Sequence, residues 1–246
     1  MSNWKYLHDE IEGIHKNKSW LSNGTDRALF KPDTENNESA VEYEAYKIAS
    51  VLDIPCAKID IIEFDGKKGC ISYDVKERDN PDIIYLYPDD LYQKGNKLTN
   101  RSKASDGTEL IQISNVTLEH VKTLMPHILP KVIEMLFLDC VVRNNDRHGH
   151  NWEVIMNRNG DVLDVAPLYD HGLALWNDKN AMNTCRLPYA DDVLLTHYAM
   201  FEQLCIEEPV LMKSLMTKCK NVKLHEYAQK RLEQMKTIYD KVIGKN

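Results

Sequence analysis

The stretch Arg143-Asn144-Asn145-Asp146-Arg147-His148-Gly149-His150-Asn151 concentrates side chains capable of chemistry, and Tyr169-Asp170-His171-Gly172 follows it closely. Asp146, Asn151 and Asp170 are the functional candidates. A carboxylate and an amide carbonyl are hard oxygen donors suited to Mg²⁺, an ion held by few protein groups and by substrate phosphates. A further carboxylate left free can accept a proton from an attacking hydroxyl. Magnesium-assisted phosphoryl transfer is the chemistry that uses all three residues together.

Other chemistries fit less well. His148, His150 and His171 could form a zinc or iron site with Asp146 or Asp170, but their spacing matches no ligand pattern. A purely structural polar loop, with carboxylates accepting backbone hydrogen bonds, is the plainer alternative. No Gly-x-Ser-x-Gly elbow supports a hydrolase, and Cys140 lies in an apolar segment where it reads as packed rather than reactive.

The flanking elements must position these residues. Val132 to Val142 is apolar almost all round, interrupted by Glu134 and Asp139, and Pro130 suits a helix start. This buried helix delivers the chain into Asn144. Beyond the loop, Trp152, Val154 and Met156 alternate as in a half-buried strand, and Asn159-Gly160 reads as a two-residue hairpin turn. With 158 facing 161, position 151 falls opposite about 168. Asn151 and Asp170 then meet at one end of the hairpin, beside Asp146.

Upstream, residues 20–32 read as two short strands around Asn23-Gly24. Glycine there lets backbone amides approach an anion, and Ser22 and Thr25 add hydroxyls; an ordinary surface hairpin is the alternative. Lys31 closes the second strand before Pro32. Ser39 to Leu52 is a helix with Val41, Ala45, Ile48 and Leu52 on one face. Ser39 and Glu42 match a capping box, and local sequence favours that role for Glu42 over a pairing with Lys31. Two strands, Ala57 to Phe64 and Gly69 to Val75, are joined by Asp65-Gly66, giving β-β-α-β-β. Residues 76–115, broken by Pro81, Pro88, Gly95 and Gly107, read as a linker without a motif. Thr117 to Met125 is a short helix, and Ala174 to Pro188 is a loop on the acceptor side. Asp191 to Lys220 is helical with a break at Pro209, and Ala228, Leu232, Met235, Tyr239 and Val242 mark one amphipathic helix.

The chain of 246 residues can bury a substantial core, and its net charge of −7 argues against general nucleic-acid or anionic-membrane binding. No stretch approaches the roughly 20 apolar residues that span a bilayer. Six scattered cysteines without a Cys-x-x-Cys pair read as reduced thiols of a cytoplasmic protein.

Asn144-x-Asp146-x-His148-x-x-Asn151, with the hairpin and Tyr169-Asp170, resembles the catalytic core of HipA-like serine/threonine kinases. These are bacterial proteins, several of them toxins of toxin–antitoxin pairs. Ala28-Leu29-Phe30-Lys31-Pro32 resembles the strand bearing the family's ATP-binding lysine. Glu42 resembles its helix glutamate, with Glu44 the weaker choice. The resemblance covers roughly residues 20–75 and 130–175. It implies a two-lobed, protein-kinase-like α+β fold, with an ATP-binding lobe over residues 1–76 and a mainly helical catalytic lobe over 77–246. It implies ATP and Mg²⁺ as cofactors, Asp146 as catalytic base, and Lys31 on the phosphates oriented by Glu42. Asn151 and Asp170 are then the metal ligands, Ser22, Asn23, Gly24 and Thr25 a phosphate loop, and Tyr73 part of the hinge Ser72-Tyr73-Asp74-Val75. A protein Ser/Thr acceptor, an antitoxin-type partner and autophosphorylation near Ser19 or Ser22 belong to the same expectation. HipA also carries an N-terminal subdomain for which no counterpart is expected here. The loop Ser22-Asn23-Gly24-Thr25 departs from Gly-rich nucleotide loops. Asp146-Arg147-His148-x-x-Asn151 equally resembles phosphatidylinositol 3- and 4-kinases, so a lipid or small-molecule kinase is one alternative and an inactive nucleotide-binding module another. The absence of a basic amphipathic membrane face favours a protein acceptor.

Overall fold

The computed structural model describes residues 3–7, 18–33, 37–91, 114–175, 184–221 and 224–244. The N-terminal part is a five-stranded antiparallel sheet of order β1-β2-β3-β5-β4. Its strands are β1 (Lys5–Tyr6), β2 (Ser19–Ser22), β3 (Arg27–Pro32), β4 (Ile59–Phe64) and β5 (Lys67–Tyr73). Strand alternation in β3 puts Ala28 and Phe30 on the face that packs with Leu21 and Ile71 in a small apolar cluster. Leu29 and Lys31 take the opposite face, toward the cleft described below. Asp65-Gly66 makes the expected two-residue turn, with Phe64 paired to Lys67.

Helix α1 (Glu38–Val51) crosses from β3 to β4 and buries Val41, Ala45, Ile48 and Ala49. Its start corrects the capping-box expectation: Asn37, with a left-handed backbone, stands at the N-cap and its own side chain makes no capping bond. Ser39 bonds Asp33 through both its amide and its hydroxyl, each at 2.9 Å, and Glu42 turns inward to Lys31. A three-residue spacing signals a cap only when no stronger partner lies elsewhere in the fold.

The rest of the described chain surrounds α4 (Leu129–Val142), whose residues 132–142, apart from Glu134, are all buried. Helices α3 (Leu118–Leu124), α5 (His197–Glu207), α6 (Pro209–Lys218) and α7 (Glu226–Ile243) complete this part, α5 and α7 packing on α4. Pro209 separates α5 from α6, while α5 starts at His197 rather than Asp191 because residues 190–193 form a tight turn. In α7, Ala228, Leu232 and Met235 are buried as the periodicity predicts, and Tyr239 and Val242 pack against the same core.

The stretch read as a featureless linker contains β6 (Ile83–Leu86) and α2 (Pro88–Leu91). Strand β6 pairs with β7 (Val154–Asn157), which pairs with β8 (Val162–Val165). Residues 92–113 of that stretch and 176–183 of the acceptor-side loop lie outside the described residues. The β7–β8 hairpin also differs at its tip. Asn157, not residue 158, faces Asp161, because the Asn157 side chain accepts from the amides of Asn159 and Asp161 and closes a three-residue loop. Gly160 takes the left-handed backbone this needs, φ 88°. A bulge between Ile155 and Met156 restores the expected pairing of Val154 with Val165.

All six cysteines are unpaired, and five are buried. Among the described residues no helix is long and apolar enough to cross a membrane.

Candidate active site

Lys31, Tyr73, Asp146, Asn151 and Asp170 line one cleft of about 920 Å³ between the two sheets. Lys31 Nζ donates to Glu42 Oε1 at 2.5 Å and to Asp170 Oδ1 at 2.8 Å. Burial alone would lower the lysine pKa, but the Asp170 and Glu42 carboxylates overcome it and hold the pKa above its ordinary value. Reciprocally, Lys31, aided by Lys18 at 3.7 Å, keeps the Asp170 carboxyl well below the usual range. Asp170 is therefore ionised at any physiological pH. Glu42 uses its second oxygen to accept the His171 amide at 3.1 Å, so α1 fixes both the lysine and the chain around Asp170. Glu44 pairs instead with Lys47 on the surface.

The loop after α4 is built on a buried ion pair that sequence reading did not assign a role. Arg143 turns left-handed and ends the helix, and Asn144 accepts from the Asp146 amide at 3.0 Å while donating to Asp139 at 3.0 Å. Arg147, 1% exposed, reaches the 1% exposed Asp139 with Nε at 3.1 Å and Nη2 at 3.2 Å. Its Nη1 donates to the carbonyls of Asn151 and Tyr169, clamping the two strands of chain that carry the metal-ligand candidates. Nη2 also meets His171 Nε2 at 2.9 Å. An arginine only donates, so this nitrogen accepts and His171 is neutral. Burial, then Arg147 and Lys31, hold its pKa well below the ordinary value. The signal for this arrangement was Asp139, a lone acid facing inward from an apolar helix.

Asn151 Nδ2 donates to the Asp146 carbonyl at 2.6 Å and to Asp146 Oδ2 at 3.1 Å. That pins the amide and leaves Oδ1 as its available acceptor. Asp146 is held rather than free, a departure from the expected unengaged base: Arg186 donates to its Oδ1. Each carboxylate oxygen retains a second lone pair, so proton acceptance is still open to it. Burial keeps the His148 pKa below its ordinary value against the pull of Asp146 3.9 Å away. Among the described residues no group of three or more His, Cys, Asp or Glu converges to hold a metal. A Mg²⁺ ion bound chiefly by phosphates and water asks less of the protein, and Asn151 Oδ1 with the ionised Asp170 carboxylate fits it.

Gly149 shows how closely this loop is packed. A Cβ there would lie 1.9 Å from the Asp89 carboxyl carbon, and Asp89 is engaged by Ser114 and by the amides of Asn115 and Val116. Ser22, Asn23, Gly24 and Thr25 are not brought to the cleft lining. Their loop amides are turned inward: Gly24 donates to Ser22 Oγ, and Thr25 and Asp26 donate to Asn23 Oδ1. Tyr73 reaches the cleft, with its hydroxyl donating to Asp60 at 2.9 Å.

His197 supports the loop from below, donating from Nε2 to the Asn144 carbonyl at 3.0 Å. Burial first, then Arg231, push its pKa down to about 3. Between pH ~6.5 and 3 the unfolded chain therefore holds a proton here that the folded chain does not, and stability falls as pH falls. Acid titration of the unfolding free energy should show this loss beginning below about pH 6.5, and His197→Gln should flatten it. An unchanged slope in that variant would remove His197 as the cause.

The sequence model of the HipA-like C-terminal domain family matches residues 10–238. Among solved structures, CtkA, a proinflammatory kinase of Helicobacter pylori, superposes with a TM-score of 0.60 at 16% identity, over 94% of this chain and 96% of that one. HipA of the Shewanella oneidensis MR-1 toxin–antitoxin system, solved with HipB and operator DNA, gives 0.57 at 13% identity, over 94% of this chain and 65% of that one. No curated protein matches the chain in sequence. At such identities the two structures establish the fold, a kinase-like mixture of antiparallel sheets and helices. With nearly its whole length matched, the chain belongs to the HipA-like C-terminal domain family.

Proposed function

We propose that the cleft binds ATP with Mg²⁺ and transfers the γ-phosphoryl group to a serine or threonine hydroxyl of a protein. The observation that carries this reading is the Lys31–Glu42–Asp170 chain of ion pairs in the cleft that also holds Asp146 and Asn151. Phosphoryl transfer asks a protein mainly for placement and charge stabilisation, and these residues supply both. Lys31 binds nonreacting phosphate oxygens, and Glu42 keeps its ammonium aimed. Asp146 positions the acceptor hydroxyl and takes its proton as the new O–P bond forms and the bond to the ADP oxygen breaks. Asn151 Oδ1 and Asp170 hold the divalent ion, which neutralises charge on the phosphates. Residues 1–76 form the nucleotide lobe and 77–246 the catalytic lobe on this reading. HipA was solved in a toxin–antitoxin complex, which supports an antitoxin-type partner here.

Calorimetric titration with ATP, with and without Mg²⁺, tests binding, and γ-labelled ATP offered with protein, lipid and small-alcohol acceptors tests transfer. The expected result is Mg²⁺-dependent binding and label on serine or threonine of a protein, the chain itself included. Lys31→Met should lower transfer about 10²- to 10³-fold. Label confined to a lipid or small alcohol would overturn the acceptor class, and a wild type that binds no ATP would sink the whole reading.

A further inference from the structure

Glu153 is a buried acid that the chemistry above does not use. It precedes β7, is 2% exposed and belongs to the cleft lining. Lys76 Nζ donates to its Oε1 at 2.8 Å, while Oε2 has no hydrogen-bond partner among the described residues. A buried carboxylate oxygen without a donor carries an uncompensated desolvation penalty, and on a residue that lines a cleft it is accounted for when a ligand supplies the donor.

The surroundings narrow the ligand's chemistry. A carboxylate repels phosphate, and the ammonium groups of Lys18 and Lys31 gather at Asp170 instead. Glu153 therefore meets an uncharged, donor-bearing part of the nucleotide. The neighbouring lining is aromatic: Tyr85, whose ring lies 5.9 Å from Lys76 Nζ, with Tyr87 and Tyr169. Aromatic side chains suit a planar base better than a sugar. Adenine offers one strong donor group on its edge, the exocyclic amine.

We propose that Glu153 reads the base: its Oε2 accepts an N–H from the exocyclic amine of adenine, and Lys76 holds the carboxylate in place. This rests on the ATP reading above. A pair serving only to tie the segment around Lys76 to the β7 hairpin would influence all nucleotides alike. A base reader discriminates among them.

The test is the dissociation constant, by calorimetry in Mg²⁺, of ATP, purine riboside triphosphate (adenine without its amine) and 2′-deoxy-ATP. Wild type, Glu153→Met and Glu153→Gln are compared, each checked for folding by a thermal melt without nucleotide. Wild type should bind ATP about tenfold or more tightly than the amine-free analogue, as expected for a hydrogen bond to a charged acceptor. Glu153→Met, which keeps volume but removes the acceptor, should bind the two within about threefold, and Glu153→Gln should retain part of the preference. Equal wild-type affinities, or a preference that survives in Glu153→Met, overturns the proposal. So does a discrimination seen only against 2′-deoxy-ATP, which would assign Oε2 to the sugar. Failure of wild type to bind any of the three defeats the ATP reading itself, a result distinct from binding without discrimination. Should Glu153→Met not fold, the wild-type comparison and Glu153→Gln still decide.

Discussion

Asp146→Asn is expected to lower phosphoryl transfer about 10²- to 10⁴-fold, the range associated with a positioned general base. The substitution keeps the side chain's size and replaces a proton-accepting oxygen. Asp146 is partly exposed, so its removal leaves no buried charge behind. Asn151 still has the backbone carbonyl of residue 146 as a partner. The melting temperature should therefore change little while single-turnover transfer collapses and ATP affinity is retained. A variant that transfers phosphate at a rate within about threefold of wild type would remove Asp146 from the chemistry, whatever its place in the cleft.

Arg147→Leu should be the most destabilising single change near the site. It leaves the Asp139 carboxyl buried without its counter-ion, where burial already pushes its pKa up, and removing one partner of a buried pair typically costs about 3–5 kcal/mol. For a chain of this size that corresponds to a fall in melting temperature of roughly 6–20 °C. Activity should fail with it, because the carbonyls of Asn151 and Tyr169 lose their common donor. The double variant Asp139→Leu, Arg147→Leu separates the two effects. It should recover part of the stability, having no orphaned acid, without recovering transfer. Recovery of both would mean that the guanidinium acts only as a counter-ion.

Much of this arrangement could be read from the chain, and the failures share a cause. The pairing of Val154 with Val165 follows from alternation and a Gly turn, and the buried α4 follows from its apolar run. Periodicity reports such local preferences directly. The hairpin tip departs from a two-residue turn because the Asn157 side chain, rather than turn type alone, closes the loop. Glu42 illustrates the harder problem. Its spacing from Ser39 suits a cap, and only the folded chain brings Lys31 and the His171 amide within reach. Resemblance to a family supplied what local pattern could not. Neither pattern nor resemblance gives a role to Arg147, Arg186 or Glu153, whose roles depend on contacts between distant positions. The loop at Ser22–Thr25 failed in the opposite sense. Its composition invites an anion, yet its side chains consume the amides an anion would need.

The lysine shared by two acids has a further consequence. Before any ligand arrives, Lys31 is already neutralised by Glu42 and Asp170. A triphosphate that recruits this ammonium draws it from Asp170, and the carboxylate, left with only the more distant Lys18 at 3.7 Å, then favours a further cation. Each ligand thus lowers the cost of admitting the other, and linkage makes that assistance mutual. On the kinase reading, nucleotide and divalent ion enter as a thermodynamic unit, with Asp170 trading one counter-ion for another.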